Sequence, residues 1–389
     1  MSRRSSPQFV ERVLHDVWSS VRGSPPILHQ LGTDAERADA PAVLTEAGSV
    51  AVQLDDESEF HGLPLPPSVT HWGRASCHVL RDARVVGDQG NVFTQQGQFV
   101  SICPSLRRLD SAKIRRPIPW LARRLCGPVF HLTGRDHENH GHFLMQHLPR
   151  LMAARSWLAS QGVQPVILVP PGHEKWQGRY LSTLGGLGAH VVPCRTGTVS
   201  VEKLYYVPML WDDGHLGPPA PYRQMQACFR SFAGIADAAP PSGMPIFVTR
   251  QDAPTRRLSN EAEIIDICRR QFGDIDVMSL REVPFVEQIR RFAEAPLVIG
   301  PQGQGLTNII FSRQTRLLIL EAGQSAHDIG WANVYRDFAH MTDNSALRLL
   351  SGGPWPDDGD WEFPTAAFSE QLQRVVALGL HHHRPPVLR

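Results

Sequence analysis

Leu297-Val298-Ile299-Gly300-Pro301-Gln302-Gly303-Gln304-Gly305-Leu306-Thr307-Asn308-Ile309-Ile310-Phe311 places a glycine-rich turn between two apolar runs. The pattern predicts a buried strand, a tight turn and a helix start, the connection from which α/β proteins build anion sites. Glycine allows positive φ and close approach of the backbone to a ligand. The N–H groups at a helix start lack intrahelical partners, and the helix dipole favours phosphate oxygens there. A phosphorylated ligand is the first expectation. A dinucleotide fingerprint begins at Gly303 and Gly305 but breaks at Asn308, and no Walker lysine follows the turn, so nicotinamide, flavin and P-loop readings gain little.

Outward from the turn, strand and helix patterns alternate. Residues 245–249 and 275–278 read as strands and residues 260–272 as a helix with Ser259 as its N-cap. Pro284 stands at the first position of a helix over 285–293, and residues 317–321 form the next strand. A second alternating series lies upstream of the loop 238–243, whose Ala, Pro, Ser and Gly content is that of a linker. It comprises strands at 129–132, 166–169, 189–192 and 203–207 and a helix over 142–160 in which Pro149 must start, break or kink a turn. The fold class is therefore α/β, with two alternating units joined by a linker that make a cleft. The expected division is a β-rich region with an amphipathic helix at 8–22 (residues 1–125), a first unit (126–240), a second unit (241–375) and a tail (376–389). The run His381-His382-His383 reads as part of that solvated tail.

At 389 residues the chain exceeds one ordinary core, and 42% hydrophobic residues suit a globular protein. Thirty-nine basic and 38 acidic residues give a net charge of +1, so no global field recruits nucleic acid or an anionic membrane. Cys77, Cys103, Cys126, Cys194, Cys228 and Cys268 are spread singly, without the CxxC spacing of zinc sites, and read as reduced structural thiols. Residues 1–12 offer no long apolar segment of the secretory kind, and no window approaches the roughly 18 to 20 apolar residues of a membrane span. A soluble cytoplasmic protein is expected. The helix at 8–22 would dock on the body or, alternatively, touch a partner or the inner membrane peripherally.

Three further constellations carry chemistry. The segment from Val248 to Glu261 leaves a strand and enters a helix, delivering Arg250, Arg256 and Arg257 where α/β sheets place ligands, beyond the carboxyl ends of their strands. The planar arginine fork donates paired, charge-assisted hydrogen bonds suited to diphosphate; surface ion pairing with Glu261 or Glu263 is the bland alternative. Glu321 ends an apolar strand, where it can accept from a ribose or sugar hydroxyl or cap a helix, and Asn308 can bind ligand or cap the helix after the turn. Between Arg135 and Arg150, four histidines fall within eleven residues. Their spacing is not HExxH and does not put two ligands and a base on one helical face, so no metal is expected. His142, at a helix start, is instead a candidate general base or hydroxyl-binding group.

Taken in order and spacing, these segments resemble glycosyltransferase family 61, which includes bacterial capsular-polysaccharide enzymes and eukaryotic protein O-glycosyltransferases. Asn139-His140-Gly141-His142-Phe143-Leu144 through Leu148-Pro149-Arg150-Leu151 looks like the family's first motif. Thr249-Arg250 with Arg256-Arg257-Leu258 and Asn260-Glu261 looks like its second, and residues 300–311 like its third. Asp360-Trp361-Glu362-Phe363-Pro364 resembles its closing segment. The resemblance implies a GT-B-like architecture, two Rossmann-like units facing a cleft, and an inverting transfer from a nucleotide-sugar donor to a glycan acceptor, without a metal or other cofactor. His142 would be catalytic, and Asn139, Arg250, Arg256, Gln302, Gly303, Gln304, Gly305, Leu306, Thr307, Asn308 and Glu321 would hold the substrate. The chain departs from the family at Gln302 and Gln304, where His and Ala are usual, and at Gln146, near which an acidic residue is usual. Glutamine hydrogen-bonds but cannot act as a base near neutral pH, so a non-catalytic nucleotide-sugar or carbohydrate-binding protein of the same fold is the alternative, ahead of a metal-dependent hydrolase.

Overall fold

The computed structural model describes residues 75–100, 117–118, 122–184, 191–194, 197–210, 217–236, 239–323, 332–353 and 359–383, with the backbone of four short strands nearer the N terminus. The expected helix at 8–22 lies outside the described residues. The chain divides into two compact units, residues 1–47 with 73–213 and residues 48–72 with 214–389. Both are α/β. Among the described residues no helix is long and apolar enough to cross a membrane.

The first unit is built on a nine-stranded mixed sheet. Its strands are β1 (Ile27–Leu28), β2 (Ala42–Thr45), β5 (Ala75–Val86), β6 (Asn91–Phe93), β7 (Phe99–Val100), β8 (Arg123–His131), β9 (Val166–Val169), β10 (Val191–Pro193) and β11 (Thr198–Tyr206). Along the sheet they run β1-β7-β6-β5-β11-β8-β9-β10, with β2 also paired to β5; β3 (Gly48–Ala51) and β4 (Val69–Trp72), assigned to the second unit, pair antiparallel as a separate two-stranded sheet. β11, β8, β9 and β10 are mutually parallel, the Rossmann-like half, whereas β5 joins β11 antiparallel from Thr198↔Val86 to Tyr206↔His78. The β-rich N-terminal region is thus one edge of the same sheet. Val85, Val92, Val129, Leu168, Val201 and Leu204, drawn from both halves, pack in one buried cluster.

The second unit has five parallel strands in the order β13-β12-β14-β15-β16, with β12 (Ile246–Val248), β13 (Asp276–Met278), β14 (Leu297–Pro301), β15 (Arg316–Glu321) and β16 (Ser345–Leu350). Every residue of β14 and β15 is buried, as in sheets covered on both faces. The sequence of strands changes direction between β12 and β14. Doubly wound sheets bind ligands beyond the carboxyl ends of the strands at such a switch point.

The boundary between the units lies at 213/214, upstream of the expected 240/241. The helix Pro219–Phe232 explains the shift, because its buried polar side chains serve the second unit. Gln226 Nε2 donates to Ser312 O (2.5 Å) and Thr342 O (2.6 Å), and Arg230 Nη1 to Phe311 O (3.4 Å). The Pro- and Ser-rich loop at 238–243 therefore connects two elements of one unit. The histidine run is likewise not a free tail: Arg316 Nε donates to His382 O (3.1 Å), Ser345 Oγ and His383 Nδ1 lie 3.2 Å apart, and the Phe272 and His381 rings are in contact. Cys77, Cys126, Cys194 and Cys268 are free thiols.

Candidate functional site

At the switch point, β12 releases Thr249-Arg250 and β14 releases Gln302-Gly303. The glycines serve packing here rather than turn conformation. Gly303 is extended (φ 176), and Gly300 and Gly305 are also outside the left-handed region. A Cβ on Gly303 would overlap the Arg250 guanidinium, meeting Nη1 and lying 2.8 Å from Cζ, and a Cβ on Gly300 would lie 2.8 Å from Val248 O. The positive-φ turn expected from the sequence is therefore absent, and residues 304–311 continue as a 3₁₀ helix (Gln304–Phe311).

The arginine loop is held by its own backbone. Arg250 Nε donates to Arg256 O (3.3 Å) and Nη2 to Thr255 O (3.2 Å). Arg256 is the strained member: its φ is +56, a region costly for a side-chain-bearing residue, and its buried Nε has no hydrogen-bond partner. Glu261 acts differently from the expected ion pair. One carboxylate oxygen accepts from the Thr249 hydroxyl and the other from the Arg250 backbone N–H (3.3 Å), which fixes the strand exit instead of neutralising a guanidinium. Among the described residues no carboxylate forms an ion pair with Arg250 or Arg256. Burial, and then the neighbouring Arg256 charge, lower the Arg250 pKa. The Tyr335 hydroxyl is pushed up to about 12 by burial, with the charges of Arg250 and Arg256 acting in the opposite direction, so it remains a neutral donor.

Arg257 leaves this group. It forms an ion pair with Asp360 (2.7 Å), while Trp361 N donates to Arg257 O (3.0 Å) and Ser259 N to Trp361 O (2.8 Å). The segment around Asp360 thereby clamps the outside of the arginine loop. Asn260, and not Ser259, is the N-cap residue of the following helix Glu261–Phe272, and its amide exchanges hydrogen bonds with the backbone of Phe363.

Several expected ligand residues are committed elsewhere. Thr307 Oγ1 donates back to Gln304 O (2.6 Å) and Leu306 is buried. Asn308 sits inside the 3₁₀ helix rather than capping it, with Nδ2 donating to Gln288 Oε1 (3.0 Å) while its buried Oδ1 has no partner among the described residues. Glu321, fully buried, forms an ion pair with Arg348 (2.6 Å). Gln302 does remain at the edge: its N–H donates to Leu320 O (2.8 Å), and its buried Oε1 has no partner. Gln304 is exposed.

In the first unit, a helix begins at His140–His142, passes through a π-helical turn at Phe143–His147 and continues as Leu148–Ser160; together these form α1. Pro149 has no N–H to give the ladder, and the π turn lies just before it, with Leu148 N donating to Phe143 O. Asn139 is the N-cap, its Oδ1 accepting from His142 N (3.1 Å). His142 Nδ1 meets Gln146 Oε1 at 2.9 Å. With a carboxamide oxygen as acceptor, Nδ1 carries the proton and Nε2 keeps the lone pair a base needs.

The other histidines of the cluster are built into the fold. His137 Nδ1 pairs with Gly134 O (2.9 Å), His140 Nε2 with the Tyr180 hydroxyl (2.5 Å), and His147 Nε2 with Arg135 O (2.9 Å). Among the described residues no three His, Cys, Asp or Glu side chains form a metal-binding group. Arg150, which the sequence left unassigned, is fully buried and ties the carboxyl ends of β8 and β11 together. It donates to Val207 O (2.6 Å), Thr133 O (3.1 Å) and His131 O (3.2 Å) and contacts His131 Nδ1 (3.0 Å). Burial, and next the Arg150 charge, push the His131 pKa down to about 3 and that of His147 well below its ordinary value.

No curated protein matches the chain. Residues 140–319 match the family model described as Glycosyltransferase 61, a span that holds His142, Arg250, Arg256 and Gln302 but not Tyr335 or Asp360. Over that span the chain is similar to glycosyltransferase family 61.

Proposed function

We propose that this protein is an inverting, nucleotide-sugar-dependent glycosyltransferase of GT-B plan that extends a bacterial capsular or other surface glycan. The second unit takes the donor in this reading and the first supplies the base. The observation that carries it is the pair Arg250 and Arg256, whose guanidiniums form no ion pair among the described residues, with Arg250 packed against Gly303 at the β12/β14 switch point. Two guanidiniums held at fixed backbone positions suit a diphosphate, whose negative charge grows as it leaves. Tyr335 adds a neutral hydroxyl donor.

The reaction then follows from elementary bookkeeping of bonds. The acceptor oxygen attacks the anomeric carbon on the face opposite the diphosphate; the new C–O bond forms as the sugar–phosphate bond breaks, inverting the centre. His142 Nε2 takes the acceptor's proton, with Gln146 holding the ring tautomer. Arg250 and Arg256 meet the departing charge, which leaves no task that requires a metal ion. A cytoplasmic site, with peripheral contact at the inner membrane through residues 8–22, completes the proposal.

One observation favours a second reading. The Gln146 oxygen that meets His142 Nδ1 belongs to a neutral carboxamide, which orients the ring but does not stabilise the imidazolium formed on proton transfer. A nucleotide-sugar-binding protein without turnover would need no more. Incubation with a panel of nucleotide-sugars separates the two: stabilisation followed by release of nucleoside diphosphate supports the transferase, and stabilisation without release over a broad acceptor set supports the binding protein.

A further inference from the structure

We infer that Gln302 reads a hydroxyl of the bound diphosphate ester, so that this site distinguishes a polyol diphosphate from a bare diphosphate. The inference rests on the reading of Arg250 and Arg256 as the diphosphate seat. The seat offers several donors: two guanidiniums, the Tyr335 hydroxyl and the backbone N–H groups at the start of the 3₁₀ helix, while the nearby Glu261 carboxylate is taken up by Thr249 and the Arg250 backbone. A diphosphate is acceptor-rich and answers donors only. Yet the buried Oε1 of Gln302, the residue before Gly303 at the exit of β14, is an acceptor with no partner among the described residues, while the buried Nε of Arg256 is a donor with none.

A buried polar atom without a partner is costly, and the pair of orphans specifies what would satisfy both. Phosphate oxygen answers Arg256 Nε. Only an O–H or N–H answers Gln302 Oε1, and in a diphosphate ester the groups nearest the phosphates that can donate are hydroxyls, either of the ribose or of the sugar. Glutamine is well chosen for this position on electrostatic grounds. A carboxylate would accept the same hydroxyl but repel the diphosphate beside it, and an imidazole would change charge near neutral pH. The glutamine thus has a physical use in the donor seat itself, independent of whether it could act as a base.

The test compares the wild type with Gln302→Met, which keeps the length of the side chain and removes the acceptor. Affinities are measured by titration calorimetry for inorganic pyrophosphate, uridine and guanosine diphosphates, their 2′,3′-dideoxy counterparts, and the corresponding glucose conjugates. Loss of one hydrogen bond predicts roughly a two- to tenfold weakening for the hydroxyl-bearing ligands and none for pyrophosphate. A penalty already present for the diphosphate and absent for its dideoxy form assigns the ribose; a penalty confined to the conjugate assigns the sugar; both support the inference. An equal penalty on pyrophosphate, or no penalty on any ligand, overturns it. If the wild type binds no diphosphate at all, the reading of the arginine seat fails first, which is a distinguishable result.

Discussion

The Arg250 guanidinium fills the volume that a side chain at residue 303 would need, so Arg250 and Gly303 are a fitted pair across the β12/β14 switch point. The clash a methyl group would create is with the movable end of a long side chain and not with backbone. Gly303→Ala is therefore expected to change unfolding stability by less than about 1 kcal/mol while displacing the guanidinium. Its diphosphate affinity should fall as far as that of Arg250→Ala. Gly300→Ala meets Val248 O instead, and should cost roughly 1 to 3 kcal/mol of stability. Chemical denaturation and ligand titration of the three variants check this; a Gly303→Ala protein with wild-type affinity would break the pairing.

Arg256 sits at φ +56 and carries a guanidinium the fold does not use. Arg256→Gly should hold or raise stability, by up to about 1 kcal/mol, because glycine adopts that backbone region without strain. Diphosphate affinity should drop at least tenfold, the loss of one charge-assisted hydrogen bond. Opposite signs for stability and binding are the signature of strain kept for function. A variant that loses both would instead make Arg256 a structural residue.

Gln146 holds His142 through an uncharged oxygen. Gln146→Glu places a carboxylate beside the ring, which stabilises the imidazolium formed during proton transfer. Turnover is expected to rise roughly tenfold, with the acidic limb of the rate profile moving to higher pH, and His142→Ala should abolish transfer while leaving diphosphate binding intact. An unchanged pH profile in Gln146→Glu would remove His142 from the role of base.

Acid stability provides a test independent of ligands. His131 and His340 are buried with pKa values pushed down to about 3, from 6.5, and His147 is also held well below 6.5. Above pH 6.5 these groups are neutral in both states and contribute nothing to the pH dependence. Below it the unfolded chain binds their protons and the folded one does not, so stability falls as pH falls, by about 1.4 kcal/mol per pH unit for each such group. Loss of stability should begin near pH 6.5, well above the carboxylate range. A melting temperature flat from pH 7 to about 4.5 would contradict the burial of these rings in neutral form.

Much of this was legible in the chain because it depends on local pattern. Apolar runs such as 297–299 and 317–320 gave the strands of a doubly wound sheet, and the exits after Val248 and Pro301 gave the arginine and glycine segments. What depends on pairs distant in sequence was not. Nothing local marks Tyr335 as a neighbour of Arg250 and Arg256, Asp360 as the clamp on Arg257, or Arg150 as the tie between β8 and β11. The same limit hid the partners of two expected ligand residues. Glu321 and Asn308 occupy positions typical of ligand groups, but Arg348 and Gln288 reach them from other elements. The glycines were read through their conformational freedom, whereas the decisive fact at Gly303 is the guanidinium packed against it.

The central claim is that Arg250 and Arg256 seat a diphosphate. Titration of nucleoside diphosphates into the wild type, Arg250→Ala and Arg256→Gly tests it most directly. Saturable binding by the wild type, weakened at least tenfold in each variant while both remain folded, is the predicted result. Wild-type binding that both variants retain undiminished, or no binding of any diphosphate by the folded wild type, would contradict it.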